Sequence, residues 1–147
     1  QFVFTDGMKA PQIVEQIGAQ FLNGSFGTVP SSQDSAQRQA FRDAYADAYG
    51  EVPPLPFIDA GYDATMLIAL AAAKAGSTDR EAIKAEIAAV SAPPGEVVGP
   101  GEFAKALELI ADGADINYEG ASGPVDFDDN GDVPGVIGEW AIEDGAI

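Results

Sequence analysis

The sequence predicts an α/β fold in which five helices lie between short strands and the chain finishes in a β-hairpin. Three observations predict it. The run "FVFTDG" is apolar and stops at a turn, as a short buried strand does. Five later segments carry apolar residues at helical spacing. The segments "PVDF" and "VPGVIGEWAI" are apolar runs bounded by Asp, Asn, Gly and Pro, which suits paired strands. The resulting order, β-α-β-α-α-α-α-β-β, is that of an α/β protein. So few strands cannot shield five helices, so further sheet is expected outside this stretch, and the abrupt apolar start at Gln1 suggests a fragment lacking its amino-terminal part.

Each element has its own signal. Phe2 to Phe4 is the first strand and Thr5-Asp6-Gly7 the turn after it. Pro11 opens a helix through Leu22, with Ile13, Ile17 and Phe21 on one face and Asn23-Gly24 as the stop. "SFGTVP" is a second strand. "SSQDSAQRQAFRDAYADAYG" is a helix with Phe41, Ala44, Tyr45 and Ala48 as its stripe. "EVPPLP" is a loop, because proline removes donors and fixes φ. From Asp59 to Ala75 the next helix is apolar nearly all round, which predicts burial. Thr78 and Glu81 form a capping box ahead of Ile83, Ile87 and Val90. "SAPPGEVVGPG" reads as a loop, and Phe103, Ala106, Leu107 and Ile110 as the inner face of a fifth helix ending at Gly113.

Composition excludes several functions. The chain has 147 residues, 24 acids, 7 bases and a net charge of −17. No basic surface for nucleic acid or anionic lipid can be built from so few cations. With no Cys and no His, zinc sites with thiolate or imidazole ligands, a Ser-His-Asp triad and a Cys nucleophile are ruled out. No metal site and no cofactor is expected, and no catalytic constellation stands out.

Two residues could bind a small molecule. Asp6 follows a strand and precedes a helix, where open α/β sheets hold ligands. It could hold an ammonium, or simply cap a turn. Phe57, after the proline-rich loop, could line a pocket or belong to the core. Tyr62 and Asp63 suit packing and the positive end of a helix. In "PVDFDDNGDVPG", Asp126, Asp128, Asn130 and Gly131 stand at calcium-loop spacing. The twelfth position, where a bidentate Glu is needed, is Ile137. A hairpin turn of type I′ at Asn130-Gly131, without a tight calcium site, is the expectation.

The stretches "FVFTDGMK", "GTVPSS", "FRDAYADAYGEVPPLPFIDAGYDATMLIALAAAKAGSTDREAIKAEI", "PPGEVVGPGE" and "INYEGASGPVDFDDNGDVPGVIGEWAIEDGAI", in this order, resemble the periplasmic substrate-binding proteins of ABC importers for branched-chain amino acids and amides. The resemblance implies a fragment of a two-lobed type I periplasmic-binding-protein fold with Rossmann-like lobes. Residues 1–29 would belong to the second lobe, 30–119 to the first, and 120–147 to a hairpin returning to the hinge and second lobe. It implies an amino acid or amide ligand held between lobes, with Asp6 on its ammonium and Phe57 against its side chain. Also implied are an ABC permease as partner, a periplasmic or lipid-anchored extracellular location, and no enzymatic activity. A sensory domain on the same scaffold is the alternative. Hydrophobic faces left uncovered in such a fragment would pair with the missing part or drive self-association.

Overall fold

A computed structural model describes residues 1–147. The chain divides into two compact units, one of residues 1–31, 53–58 and 135–147, the other of residues 32–52 and 59–134.

The first unit is built on a three-stranded sheet of β1 (Val3–Phe4), β2 (Phe26–Ser31) and β5 (Val136–Ala141), in the order β1-β2-β5. β1 runs parallel to β2, and β5 runs antiparallel to it, pairing Gly27 with Trp140 and Pro30 with Ile137. Pro30 is tolerated in this middle strand because β1 pairs only as far as Gly27, so the missing N–H interrupts no ladder. Phe4 stacks on Trp140 at 5.9 Å, nearly parallel at 9°. A Cβ on Gly27 would run into both the Trp140 ring and the Phe4 carbonyl, so the close approach requires glycine.

The helix expected over Pro11–Leu22 is broken. Gly18, at φ 100°, separates α1 (Pro11–Ile17) from α2 (Ala19–Leu22). The break shifts the helical phase, so the inward residues are Ile13, Val14 and Leu22. Ile17 and Phe21, expected on the same buried face, are exposed.

In the second unit, α3 (Ala36–Tyr49), α4 (Ile58–Ala75), α5 (Arg80–Ser91) and α6 (Phe103–Ala111) accompany a parallel pair, β3 (Glu96–Val98) and β4 (Ile116–Tyr118). The core joins Leu67, Leu70 and Ala71 of α4 with Val90, Val98, Ala106, Ile116, Tyr118 and Val125. α4 is one-sided rather than buried all round, and Ile68 is half exposed. Along α3 only Phe41 of the expected stripe is buried; Ala44 and Ala48 face solvent. α5 begins one residue later than a Thr78 box requires. The Asp79 carboxylate accepts from the Glu81 and Ala82 N–H groups, and a carboxylate outcompetes a hydroxyl at this end of the dipole.

The expected carboxy-terminal hairpin does not form, which corrects that detail of the α/β expectation. "PVDF" is no regular strand, and β5 pairs with β2 instead. The chain reverses earlier, at Gly120–Gly123, whose backbones exchange two hydrogen bonds and bring Pro124 opposite Glu119. Nor is Asn130-Gly131 a type I′ pair, because Gly131 takes a positive φ and Asn130 does not. The turn is Asp128 to Gly131, closed by Gly131 N–H donating to the Asp128 carbonyl at 2.9 Å.

Candidate functional site

β1 ends at Phe4 and the chain turns at once. The Thr5 carbonyl accepts from Met8 N–H at 3.1 Å and the Asp6 carbonyl from Lys9 N–H at 3.0 Å. This single 3-10 turn, Asp6–Met8, fixes Asp6 just past the carboxyl end of β1. Its side chain is half-buried and takes part in no hydrogen bond or ion pair with the rest of the chain. A carboxylate not already committed can accept a charge-assisted hydrogen bond from an amine.

Phe57 sits at the mouth of α4, behind Pro56, with φ 68°. A bulky residue there is a true backbone outlier, costing about 1–3 kcal/mol, and such strain gathers at ligand clamps. Phe57 is 48% exposed and belongs to neither core. Asp6 and Phe57 fall in the same unit.

The second unit contains a polar centre that the sequence did not disclose. Asp63 lies one turn beyond the position that an N-terminal helix charge would take, and it is 2% exposed. Its Oδ1 accepts from the Tyr118 hydroxyl and from Ala121 N–H, both at 2.8 Å. Its Oδ2 accepts from Ser122 N–H at 2.7 Å and from the Ser122 hydroxyl at 2.5 Å. The two successive amides of the Gly120–Gly123 turn form a small anion nest, which is how a buried carboxylate without a cation is tolerated. A Cβ on Gly120 would collide with this carboxylate. Burial first, and then the Asp63 charge, push the Tyr118 phenol far above its ordinary value, so it stays a donor. The signal for this centre was the pairing of "GYDA" with "YEGASG", which are tied by one carboxylate.

One turn earlier, Asp59 is 5% exposed and receives Arg38 Nε at 2.9 Å and Arg42 at 3.0 Å. Its hydrogen bond raises the Arg38 pKa despite partial burial. Asp59 thereby fastens the start of α4 to α3. Tyr62 packs its ring on Phe41 at 4.6 Å and accepts Gly101 N–H at 3.2 Å.

The Asp128 carboxylate is held by the amides of its own turn. It accepts from Asp132 N–H at 2.9 Å and Asn130 N–H at 2.8 Å, and these amides hold its carboxyl below the usual range. No group of three or more acidic side chains converges in a metal-binding arrangement.

A family model described as periplasmic binding protein matches residues 1–131. The chemotactic signal transduction system substrate-binding protein BasB of Halobacterium salinarum is 36% identical over 72 residues, which are 49% of this chain and 17% of that protein. A leucine binding protein, LivK from Thermotoga maritima, shares the fold with a TM-score of 0.66 at 26% identity, over 99% of this chain and 35% of that one. The chain therefore spans about a third or less of the length of these relatives. No helix is long and apolar enough to cross a membrane.

Proposed function

This chain belongs to the periplasmic binding protein family, and from that premise we propose that it is part of the solute-binding component of an ABC importer. Its fold is that of part of a leucine-binding-protein-like member. The solute is an amino acid or amide bound outside the cell membrane and handed to a permease, with no bond made or broken. The carrying observation is the Asp6 carboxylate, fixed at the end of a strand and uncommitted to any partner. Asp6 takes the solute ammonium and Phe57 provides an apolar wall. Residues 1–29 are assigned to the second lobe of the complete protein, 30–119 to the first, and 120–147 to the return toward the second. Phe2, Val3 and Phe21, all exposed, are faces for the remainder of that protein to cover.

A second reading rests on BasB, whose name places it in chemotactic signal transduction. Here the same binding event is reported to a sensory partner. Deleting the gene separates the two: loss of uptake supports transport, and loss of chemotaxis with intact uptake supports sensing.

Binding itself is tested by calorimetry on the complete protein, with a solute first found by thermal-shift screening of amino acids and amides. Asp6→Ala should weaken binding strongly, by roughly 1.5–3 kcal/mol for a charged hydrogen bond. Unchanged affinity would remove Asp6 from the site.

A further inference from the structure

The chain has three asparagines, and two of them precede a glycine: Asn23-Gly24 and Asn130-Gly131. Asparagine before glycine is the pair most prone to cyclise, because no Cβ on the next residue shields its backbone nitrogen from the side-chain carbonyl carbon. Both of these asparagines reach solvent, so exposure does not separate them. Their hydrogen bonds do. Asn23 Oδ1 accepts from Gly145 N–H at 3.0 Å, across 122 positions. The nitrogen that would attack, Gly24 N–H, donates to the carbonyl of fully buried Ile142 at 2.8 Å. Ring closure at Asn23 therefore requires the segment after β5 to peel away from the sheet. Asn130-Gly131 is held only from within its own turn. Gly131 N–H donates to the Asp128 carbonyl at 2.9 Å, and Asn130 N–H and Nδ2 reach the Asp128 carboxylate at 2.8 and 3.3 Å. These exposed bonds open without disturbing the core. Around Gly131 even an added Cβ would meet nothing within 4 Å, so the ring has room to form. The third asparagine, Asn117, is paired with Val97 in β4, is 7% exposed and precedes the bulky Tyr118.

We propose that Asn130 is a site of spontaneous modification in the folded protein, deamidating through a succinimide, whereas the fold protects Asn23 although its neighbour is the same. The Gly131 nitrogen gives its proton to hydroxide and attacks Asn130 Cγ. The Cγ–Nδ2 bond breaks and Nδ2 departs as ammonia. Water then opens the ring at either carbonyl. Opening at Cγ leaves aspartate. Opening at the main-chain carbonyl leaves isoaspartate, whose main chain runs through Cγ and is longer by one methylene. Nothing is oxidised or reduced, and water is the only co-reactant. Either product carries one more negative charge than the starting chain. The inference does not depend on the solute-binding reading.

The test is incubation of the full chain at mildly alkaline pH, folded in buffer and, in parallel, unfolded in guanidinium chloride. Circular dichroism confirms the state of each sample, and peptide mass spectrometry follows Asn23 and Asn130 separately. In guanidinium chloride both sites should convert at comparable rates, since their sequence context is the same. In buffer Asn130 should convert, with a more acidic species growing on ion exchange, and Asn23 should stay intact. Asn130→Gln, which would have to close a larger ring, should remove that species. An Asn130 that stays intact in the folded chain would overturn the proposal. So would conversion of Asn23 as fast as Asn130 in buffer, or an acidic species that persists in Asn130→Gln.

Discussion

The Tyr118 hydroxyl donates to the Asp63 carboxylate at 2.8 Å, across 55 positions of sequence, and both side chains are almost wholly buried. This bond joins the second turn of α4 to the end of β4. The Ala121 and Ser122 amides complete the shell around the same carboxylate. Asp63→Ala would leave a buried phenol and two amides without an acceptor. A loss of about 3 kcal/mol or more is expected, read as a lower denaturation midpoint. Tyr118→Phe removes one donor of several and should cost less, about 1.5 kcal/mol.

The Tyr118 phenol carries a pH signature. Its folded pKa lies above the unfolded value, chiefly through burial. Its contribution is therefore fully present below the unfolded value of about 10 and is lost as pH rises beyond it toward the folded value. Stability should fall above pH ~10 with a slope of up to about 1.4 kcal/mol per pH unit from this residue. Chemical denaturation of Tyr118→Phe between pH 9 and 11, taken as test points around that value, should show a shallower decline.

Gly120→Ala adds one methyl group where the Asp63 carboxylate already sits. Displacing that carboxylate disturbs four hydrogen bonds. The expected loss is roughly 1–3 kcal/mol, typical of overpacking. A melting temperature equal to wild type would show that the turn has room to shift.

Phe57 separates stability from binding. Asparagine tolerates positive φ better than phenylalanine. With the ring half exposed, Phe57→Asn should leave stability unchanged or raise it by up to about 1 kcal/mol. Solute affinity should fall in the same variant, because the apolar wall is gone. Thermal melts and calorimetry on one preparation check both.

A net charge of −17 repels itself. Raising monovalent salt shortens the screening length from about 10 Å at 0.1 M to about 3 Å at 1 M. The melting temperature should therefore climb with added sodium chloride. A flat profile would mean that paired charges such as Asp59 with Arg38 outweigh the rest.

The long helices were legible from their apolar spacing and from end signals such as Gly50 after α3, but α3 starts at Ala36 rather than at Ser31, because β2 holds the chain through Ser31. β3 and β4 were not. Each has three residues and no alternation, and "EVV" lies inside a proline and glycine run that reads as loop. Their pairing is decided by tertiary burial of Val98, Ile116 and Tyr118. β5 was legible as a strand, but its partner lies far back in the sequence, and no local pattern names it. In the candidate site, Asp6 and Phe57 were singled out from position. The strain at Phe57 was invisible, since no residue type announces φ 68°. Asp63 was misread as a helix-end charge because the groups that donate to its carboxylate lie 55 to 59 positions away.

The pairing of β2 with β5 has a consequence for biosynthesis. Trp140 Nε1–H reaches the Thr28 carbonyl across 112 positions, and the first unit cannot close its sheet until β5 has left the ribosome. The second unit is nearly continuous from residue 59 to 134, so its core can condense while the early strands still wait for their partner. During that interval β2 is an unprotected edge on a nascent chain, open to the wrong strand. Translation that stalls between these two strands should therefore leave an aggregation-prone intermediate.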